Sequence, residues 1–124
     1  MKFKNMFSPI QIGPMTVKNR FVVPPMGNNF ANSDGTWSDE SVAYYGERAK
    51  GQFGLITIEA TVVHKGAKGG PKKPCLYDDN SIESLKKITD ACHEEGAKVS
   101  IQLQNAGPEG NAKNAGAPIQ AATA

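Results

Sequence analysis

The chain has 124 residues, 39% of them apolar and 21% charged, which is typical of one small globular domain with one modest core. Its formal net charge of +2 is too small to indicate a nucleic-acid or membrane-surface partner. No apolar stretch approaches the roughly 18 residues that a membrane helix needs, so we do not expect a transmembrane protein.

The beginning of the chain and its cysteines indicate a cytoplasmic protein. Residues 1–13 contain two lysines but no apolar segment of the kind found in a signal peptide, so we expect none. Cys75 and Cys92 form no CxxC motif, and two free thiols in a reducing compartment are the simplest interpretation.

Two elements are predicted before the first long loop. Apolar and polar residues alternate on both sides of Gly13-Pro14, which predicts a β-hairpin over residues 8–18. The apolar residues of Phe21-Val22-Val23 are consecutive, as in a strand that is covered on both faces in a parallel sheet. This strand runs directly into Pro24-Pro25, which cannot donate main-chain hydrogen bonds.

A helix and a second strand follow. Ser38 is a good N-cap for a helix over residues 39–50, and Gly51 is expected as its C′ glycine. Residues 53–60 are mostly apolar and β-branched until Glu59, which predicts the second strand. The expected inner face of the helix carries Val42, Tyr45 and Ala49.

The remaining elements repeat this order. Residues 61–79 are rich in glycine, proline and lysine and are expected to form a long loop, after which Asn80 and Glu83 resemble a capping box. The third strand is expected to end at residue 103, and residues 104–124 are expected to be irregular. The second helix is expected to end at Gly96 and to present one apolar face made of Ile82, Leu85, Ile88, Ala91 and Cys92.

The order hairpin, then β-α-β-α-β over residues 20–103, predicts a parallel α/β sheet. Three parallel strands are too few for a complete doubly wound sheet or (β/α)₈ barrel, so the chain resembles the N-terminal part of a larger unit. The first strand–helix junction lacks GxGxxG, and no phosphate-binding GxxxxGK[ST] loop is present. A hairpin before the first strand suits a barrel, whose functional positions are the strand exits, here residues 24–29, 59–61 and 102–107.

Several other residues have ordinary explanations. The histidines have no partners at metal-ligand spacing, so we expect no metal site. Trp37 could pack at the start of the first helix or cover a site, and the sequence does not decide between them. Four lysines of the long loop could form a basic rim for an anionic substrate, although a solvated loop is the preferred interpretation: Lys65, Lys68, Lys72 and Lys73.

Three segments in order resemble the Old Yellow Enzyme family of FMN-dependent (β/α)₈-barrel oxidoreductases, which includes ene-reductases and 2,4-dienoyl-CoA reductases. The segments are MFSPIQIGPMTVKNRFVVPPM, YYGERAKGQFGLITIEATVV and DACHEEGAKVSIQLQNAG. The resemblance covers about residues 5–107 and depends on the combination rather than on any single segment. It implies that the chain is the N-terminal portion of an FMN-binding TIM barrel.

The resemblance also implies a cofactor-binding set. The exit of the first strand would face the flavin, the second strand would contact it, and a glutamine amide would hydrogen-bond its pyrimidine ring, whose edge alternates donors and acceptors. These residues are Val23, Pro24, Pro25, Met26, Ala60 and Gln102.

The chain departs from the family pattern at several positions. Many members have a cysteine or a small hydroxyl residue where this chain has Gly27, which cannot provide a side-chain contact to the flavin. Some members have a tyrosine shortly afterwards, where this chain has Asn28 and Asn29. The family motif HAGR is replaced by NAGP, with Asn105 and Pro108, which puts substrate and cofactor contacts there in doubt.

The resemblance implies hydride transfer from NAD(P)H through FMN to an activated alkene in a small-molecule substrate. It places the phosphate-binding loops and the catalytic residues beyond residue 124, so we expect the isolated chain to be inactive. We expect no nucleic-acid or membrane partner, and homo-oligomerisation or aggregation of a chain with an open sheet. The alternative is a truncated, non-catalytic remnant or a self-associating fragment, in either case without redox activity.

Overall fold

The first two strands form the hairpin that the alternating pattern predicts. The computed structural model describes residues 2–122. Strand β1 spans Ile10–Ile12 and pairs antiparallel with β2, Met15–Val17. Gly13 takes a φ of +55°, a left-handed conformation that glycine adopts without strain, and so closes the turn.

Three parallel strands form the sheet. Strands β3 (Val22–Val23), β4 (Leu55–Val62) and β5 (Lys98–Gln104) lie in the order β3-β4-β5. The prediction that the first strand is covered on both faces was wrong, because Val23 is buried but Val22 is 48% exposed. Within residues 2–122, β3 is therefore covered on one face only, although its apolar residues are consecutive.

Helix α1 spans Asp39–Lys50 and connects β3 to β4. As predicted, Ser38 caps it, with its hydroxyl accepting the Ser41 N–H at 3.2 Å. The helix ends before Gly51 as predicted, but Gly51 is its C-cap with φ −67°, and Gln52 rather than a glycine takes the left-handed C′ conformation with φ 68°. The left-handed residue after α1 therefore lies one position later than predicted.

Helix α2 spans Ile82–Glu94 and connects β4 to β5. The capping-box prediction was wrong: a 3₁₀ turn over Asp79–Ser81 precedes the helix, and the Asp78 carboxylate accepts the Asn80 N–H at 3.0 Å. Ile82 is 52% exposed because it lies in this first turn, outside the packed face that includes Ile88 and Cys92.

The core lies between the two helices and one face of the sheet. Alternate residues of β4, Ile56 and Ile58, are fully buried against the helices. The intervening Thr57 shares a 2.9 Å hydrogen bond with Ser100 on the opposite face, to which no helix of residues 2–122 is packed. The buried cluster consists of Val23, Trp37, Tyr45, Ala49, Ile56, Ile58, Ile88, Cys92 and Ala97.

The segment of residues 63–74, which we call the β4 loop, is tied to the sheet where it begins and ends. The Val62 N–H donates to the Pro74 carbonyl, and the Leu76 N–H donates to the Val62 carbonyl, both at 2.8 Å. A 3₁₀ turn spans Lys65–Ala67. The preferred interpretation of a solvated lysine loop was wrong for Lys68, which is 7% exposed and donates to the Ser33 carbonyl at 3.1 Å.

The C-terminal segment is more regular than its composition predicts. A 3₁₀ turn spans Gly107–Glu109, and a short helix, α3, spans Ala112–Ala115. The Asn111 side chain caps that helix by accepting the N–H groups of Lys113 and Asn114. The expectation of an irregular tail was therefore wrong for these residues. None of the helices among residues 2–122 has the length and apolarity required to span a membrane.

Candidate functional site

The exits of the three parallel strands lie along one edge of the sheet. Val23 is in register with Ile56, and Ile58 is in register with Ile101, so the carboxyl ends of all three strands are neighbours. We call residues 24–28, 59–60 and 102 the strand-exit site. In sheets of this kind ligands bind at the carboxyl ends of the strands.

A bulge in β4 shapes the middle of this site. The register between β4 and β5 shifts between the pair Ile58–Ile101 and the pair Thr61–Leu103. Glu59 and Ala60 therefore lie opposite the single residue Gln102. Bulges of this type redirect side chains and are frequent beside active sites.

The residues that the resemblance assigns to the flavin differ in their accessibility. Val23 is buried, so it can offer only main-chain atoms, while Pro25 and Ala60 are half-buried. Pro24 is exposed, and Met26 is 45% exposed. Gln102 is exposed, and its alternation with Ile101 places it on the sheet face away from the helices. Its amide can therefore donate to and accept from a ligand on that face.

Glu59 is a buried carboxylate behind the site. Its Oε2 accepts the Asn28 main-chain N–H at 3.2 Å, and its own N–H donates to the Tyr45 hydroxyl at 3.0 Å. Burial raises the pKa of this carboxyl, partly offset by the Asn28 hydrogen bond and by the charge of Lys73. Within residues 2–122, its Oε1 and the Asn28 Nδ2 are buried without a hydrogen-bond partner. Glu59 thus holds the chain that leaves β3 against the bulge of β4.

The side chain of Lys73, a residue distant in sequence, reaches the position that a side chain on Gly27 would occupy. A Cβ atom placed on Gly27 would lie 3.0 Å from Lys73 Nζ and 3.8 Å from Glu59 Oε2. Sequence reasoning placed Glu59 and Asn28 at strand exits and Lys73 in a possible basic rim, but it predicted none of the contacts between them. The only available signal was a single charged residue at the end of an otherwise apolar strand, Glu59.

The other candidate residues lie outside the strand-exit site. Trp37 belongs to the hydrophobic core, so it packs at the start of α1 instead of covering the site. Its indole N–H has no hydrogen-bond partner within residues 2–122. The His64 Nδ1 accepts the Gly66 N–H at 3.1 Å and so caps a turn. Cys75 and Cys92 are buried free thiols, and burial raises the pKa of Cys92 to about 11. Among residues 2–122, no three His, Cys, Asp or Glu side chains are grouped as a metal site.

Solved structures of two Old Yellow Enzymes and of a 2-naphthoyl-CoA reductase share this fold. An Old Yellow Enzyme from a Pichia species is 34% identical over 93% of the chain, with a TM-score of 0.86, and the match covers 31% of that protein. The Old Yellow Enzyme of Trypanosoma cruzi is 34% identical over 92% of the chain and covers 30% of that protein, with a TM-score of 0.84. A 2-naphthoyl-CoA reductase bound to 2-naphthoyl-CoA is 33% identical over 92% of the chain and covers 17% of that protein, with a TM-score of 0.86.

These similarities define the class of protein as a barrel oxidoreductase of the Old Yellow Enzyme type, represented by its N-terminal part. The chain belongs to the NADH:flavin oxidoreductase / NADH oxidase family, whose model matches residues 5–122. It spans less than a third of the length of the three relatives described above. The hairpin and the three parallel strands are accordingly the first elements of a (β/α)₈ barrel, with α1 and α2 in its outer layer.

The strand-exit site fits one edge of a flavin ring. Gly27 has no side chain to hold a flat ring away from the main chain, and Gln102 offers an exposed amide. In phosphate-binding barrels, the phosphate is held by the loops after the last two strands, and those strands are not among the three described here. The residues present therefore suit the ring of FMN rather than its phosphate.

Proposed function

We propose that this chain forms part of the isoalloxazine-binding wall of an FMN-dependent oxidoreductase. The observation that carries the proposal is the β4 bulge, which sets Glu59 and Ala60 opposite Gln102 and brings Glu59 beside the main chain of Gly27. FMN bound there would accept a hydride from NAD(P)H and deliver it to an activated alkene.

Each part of the strand-exit site has a binding or positioning role in this proposal. The Gln102 amide pairs with the polar edge of the pyrimidine ring. Pro24 and Pro25 lack amide donors and fix the direction of the main chain under the ring. The Glu59 carboxylate accepts the Asn28 N–H, so residues 24–28 at the exit of β3 keep their place when a ring is bound.

We propose an enone, an enoate or an unsaturated acyl thioester as the substrate class. One structurally similar protein is a 2-naphthoyl-CoA reductase, and the family contains the Old Yellow Enzymes. Enones, enoates and unsaturated acyl thioesters share a double bond that is activated by a carbonyl group. The catalytic acid is proposed to come from later barrel strands.

The proposal is tested by titrating the 124-residue chain with FMN and following the flavin fluorescence. We expect weak, saturable binding because the chain provides ring contacts without a phosphate site. Gln102→Leu should weaken binding by about threefold to tenfold, the worth of one net hydrogen bond. Gln11→Leu is the matched control, because Gln11 lies in the exposed hairpin strand β1.

Two results would contradict this proposal. Absence of saturable binding would remove the flavin role of the chain and support the second candidate, a non-catalytic remnant that self-associates through its open sheet. Equal weakening in both glutamine variants would show that the effect is not local to Gln102. Reading the gene beyond codon 124 separates the candidates independently, since later barrel strands in the same frame support the oxidoreductase.

A further inference from the structure

The Lys73 ammonium lies over the main chain at Gly27, at the end of the strand-exit site. Its Nζ is 3.0 Å from the position that a Cβ on Gly27 would occupy. Lys73 is half-buried, and among residues 2–122 its ammonium forms no ion pair with a carboxylate. A cation is therefore held beside the main chain that a flavin ring would contact.

The main chain around Lys73 is fixed to the sheet, so this position does not depend on a mobile loop tip. The next residue, Pro74, accepts the Val62 N–H at 2.8 Å. The Cys75 N–H donates to the Gly35 carbonyl at 2.8 Å, and the buried Cys75 thiol donates to the Lys73 carbonyl at 3.4 Å. Lys73 thus directly precedes Pro74, the residue through which the β4 loop rejoins the sheet.

The nearby acidic group is Glu59, whose Oε2 lies 3.8 Å from the same Cβ position. Its side chain is fully buried, so it lies behind the surface that a ligand would meet, and its Oε2 already accepts the Asn28 N–H. Lys73 is the more accessible of the two charges. A ligand on the strand-exit site would therefore meet the ammonium first.

We propose that Lys73 is a flavin-contacting residue that replaces the side chain missing at Gly27, and that its ammonium favours the reduced ring over the oxidised ring. This inference rests on the proposed flavin site. A hydride from NAD(P)H carries two electrons and one proton, so the ring that accepts it gains one negative charge while NAD(P)H becomes NAD(P)⁺. A fixed cation at that ring stabilises the added charge more than it stabilises the neutral oxidised ring.

The test compares the binding of oxidised FMN and of dithionite-reduced FMN to the full chain under anaerobic conditions. For Lys73→Met, we expect the preference for reduced over oxidised FMN to fall about tenfold, which is about 30 mV for a two-electron couple. Lys73→Arg should retain most of the preference because it keeps the charge. The matched control is Lys72→Met: Lys72 is exposed and lines a separate hollow with Trp37 and Ser38.

The possible outcomes separate the two claims. An unchanged preference in Lys73→Met, with wild-type binding of FMN intact, would overturn the role of Lys73 and leave the flavin site standing. Failure of the wild-type chain to bind FMN in either redox state would overturn the proposed function and this role with it. An equal fall of this preference in Lys72→Met would show a general effect of charge and would also overturn the role of Lys73. Far-UV circular dichroism confirms that each variant is folded before it is compared.

Discussion

Tyr45 connects the outer helix layer to the strand-exit site through a single hydrogen bond. It is buried in α1, and its hydroxyl accepts the Glu59 N–H at 3.0 Å. Burial raises the pKa of this phenol well above its usual value, so the hydroxyl remains neutral at physiological pH. The main chain of the β4 bulge therefore has a partner on the helix side as well as within the sheet.

Removal of this hydroxyl leaves a buried amide without a partner. We expect Tyr45→Phe to lower the free energy of unfolding by about 1–3 kcal/mol, the cost of one unsatisfied buried donor. Urea unfolding measures the change. The neighbouring Tyr44→Phe is the control, because Arg48 lies over the Tyr44 ring at 3.2 Å and phenylalanine keeps that ring. Tyr44→Phe should change stability by less than about 0.5 kcal/mol; equal losses in the two variants would contradict the role of the Tyr45 hydroxyl.

The hairpin is joined to the sheet at a position where only glycine fits. Gly54 precedes β4, and a Cβ there would lie 2.7 Å from both Asn19 Oδ1 and Val17 Cγ1. The main chain of Gly54 is fully used, since its N–H donates to the Phe21 carbonyl at 3.0 Å and its carbonyl accepts the Lys98 N–H at 2.8 Å. Hairpin, β3 and β5 all meet at this residue.

Addition of one methyl group at this junction should be costly. We expect Gly54→Ala to destabilise the chain by about 1–3 kcal/mol through overpacking, measured as a lower melting temperature. Gly46→Ala in α1 is the matched change, because its Cβ would meet Ala91 Cβ at an ordinary 3.7 Å. That variant should gain about 0.5–1 kcal/mol from replacing a glycine within a helix. A Gly54→Ala chain as stable as the wild type would show that the hairpin does not pack on the sheet in solution.

The whole molecule leaves apolar surface uncovered that a complete barrel would bury. Leu103 is 63% exposed at the end of β5 and Val22 is 48% exposed on β3, and both of these strands are edges of the three-stranded sheet. Edge strands with exposed apolar side chains favour pairing with other chains.

We therefore expect the isolated 124-residue chain to self-associate at micromolar concentration, as measured by light scattering. Leu103→Lys should shift the population towards monomer because a charge at the edge opposes pairing. Ile82→Lys serves as the control, since Ile82 is similarly exposed at 52% but lies at the start of α2. A monomer at every concentration, with a cooperative thermal transition, would contradict this expectation.

The sequence predicts the order of the elements because that order depends on local patterns. The alternation about Gly13 and the cap at Ser38 both lie within a few residues of the structure that they specify. Two of the mispredicted positions, Val22 and Ile82, depend instead on what packs against them from elsewhere in the chain. Ile82 has the right helical spacing for the core but lies in a first turn that nothing among residues 2–122 covers.

The candidate site was predictable only in part for the same reason. Its location follows from the strand ends, which local patterns identify. The approach of Lys73 to Gly27 and the hydrogen bond between Asn28 and Glu59 join parts of the chain that are far apart in sequence, so their spacing along the chain carries no signal. The two-against-one geometry at Gln102 likewise depends on the register between β4 and β5.

The attachment of the β4 loop has a consequence for how such a protein can change over time. The loop is closed at its base by main-chain hydrogen bonds between Val62 and the segment Pro74–Leu76, and these do not depend on the side chains within it. The entropy of loop closure grows only slowly with length, so insertions there disturb the sheet little. The β4 loop can thus change in length while the strands on either side of it keep their register.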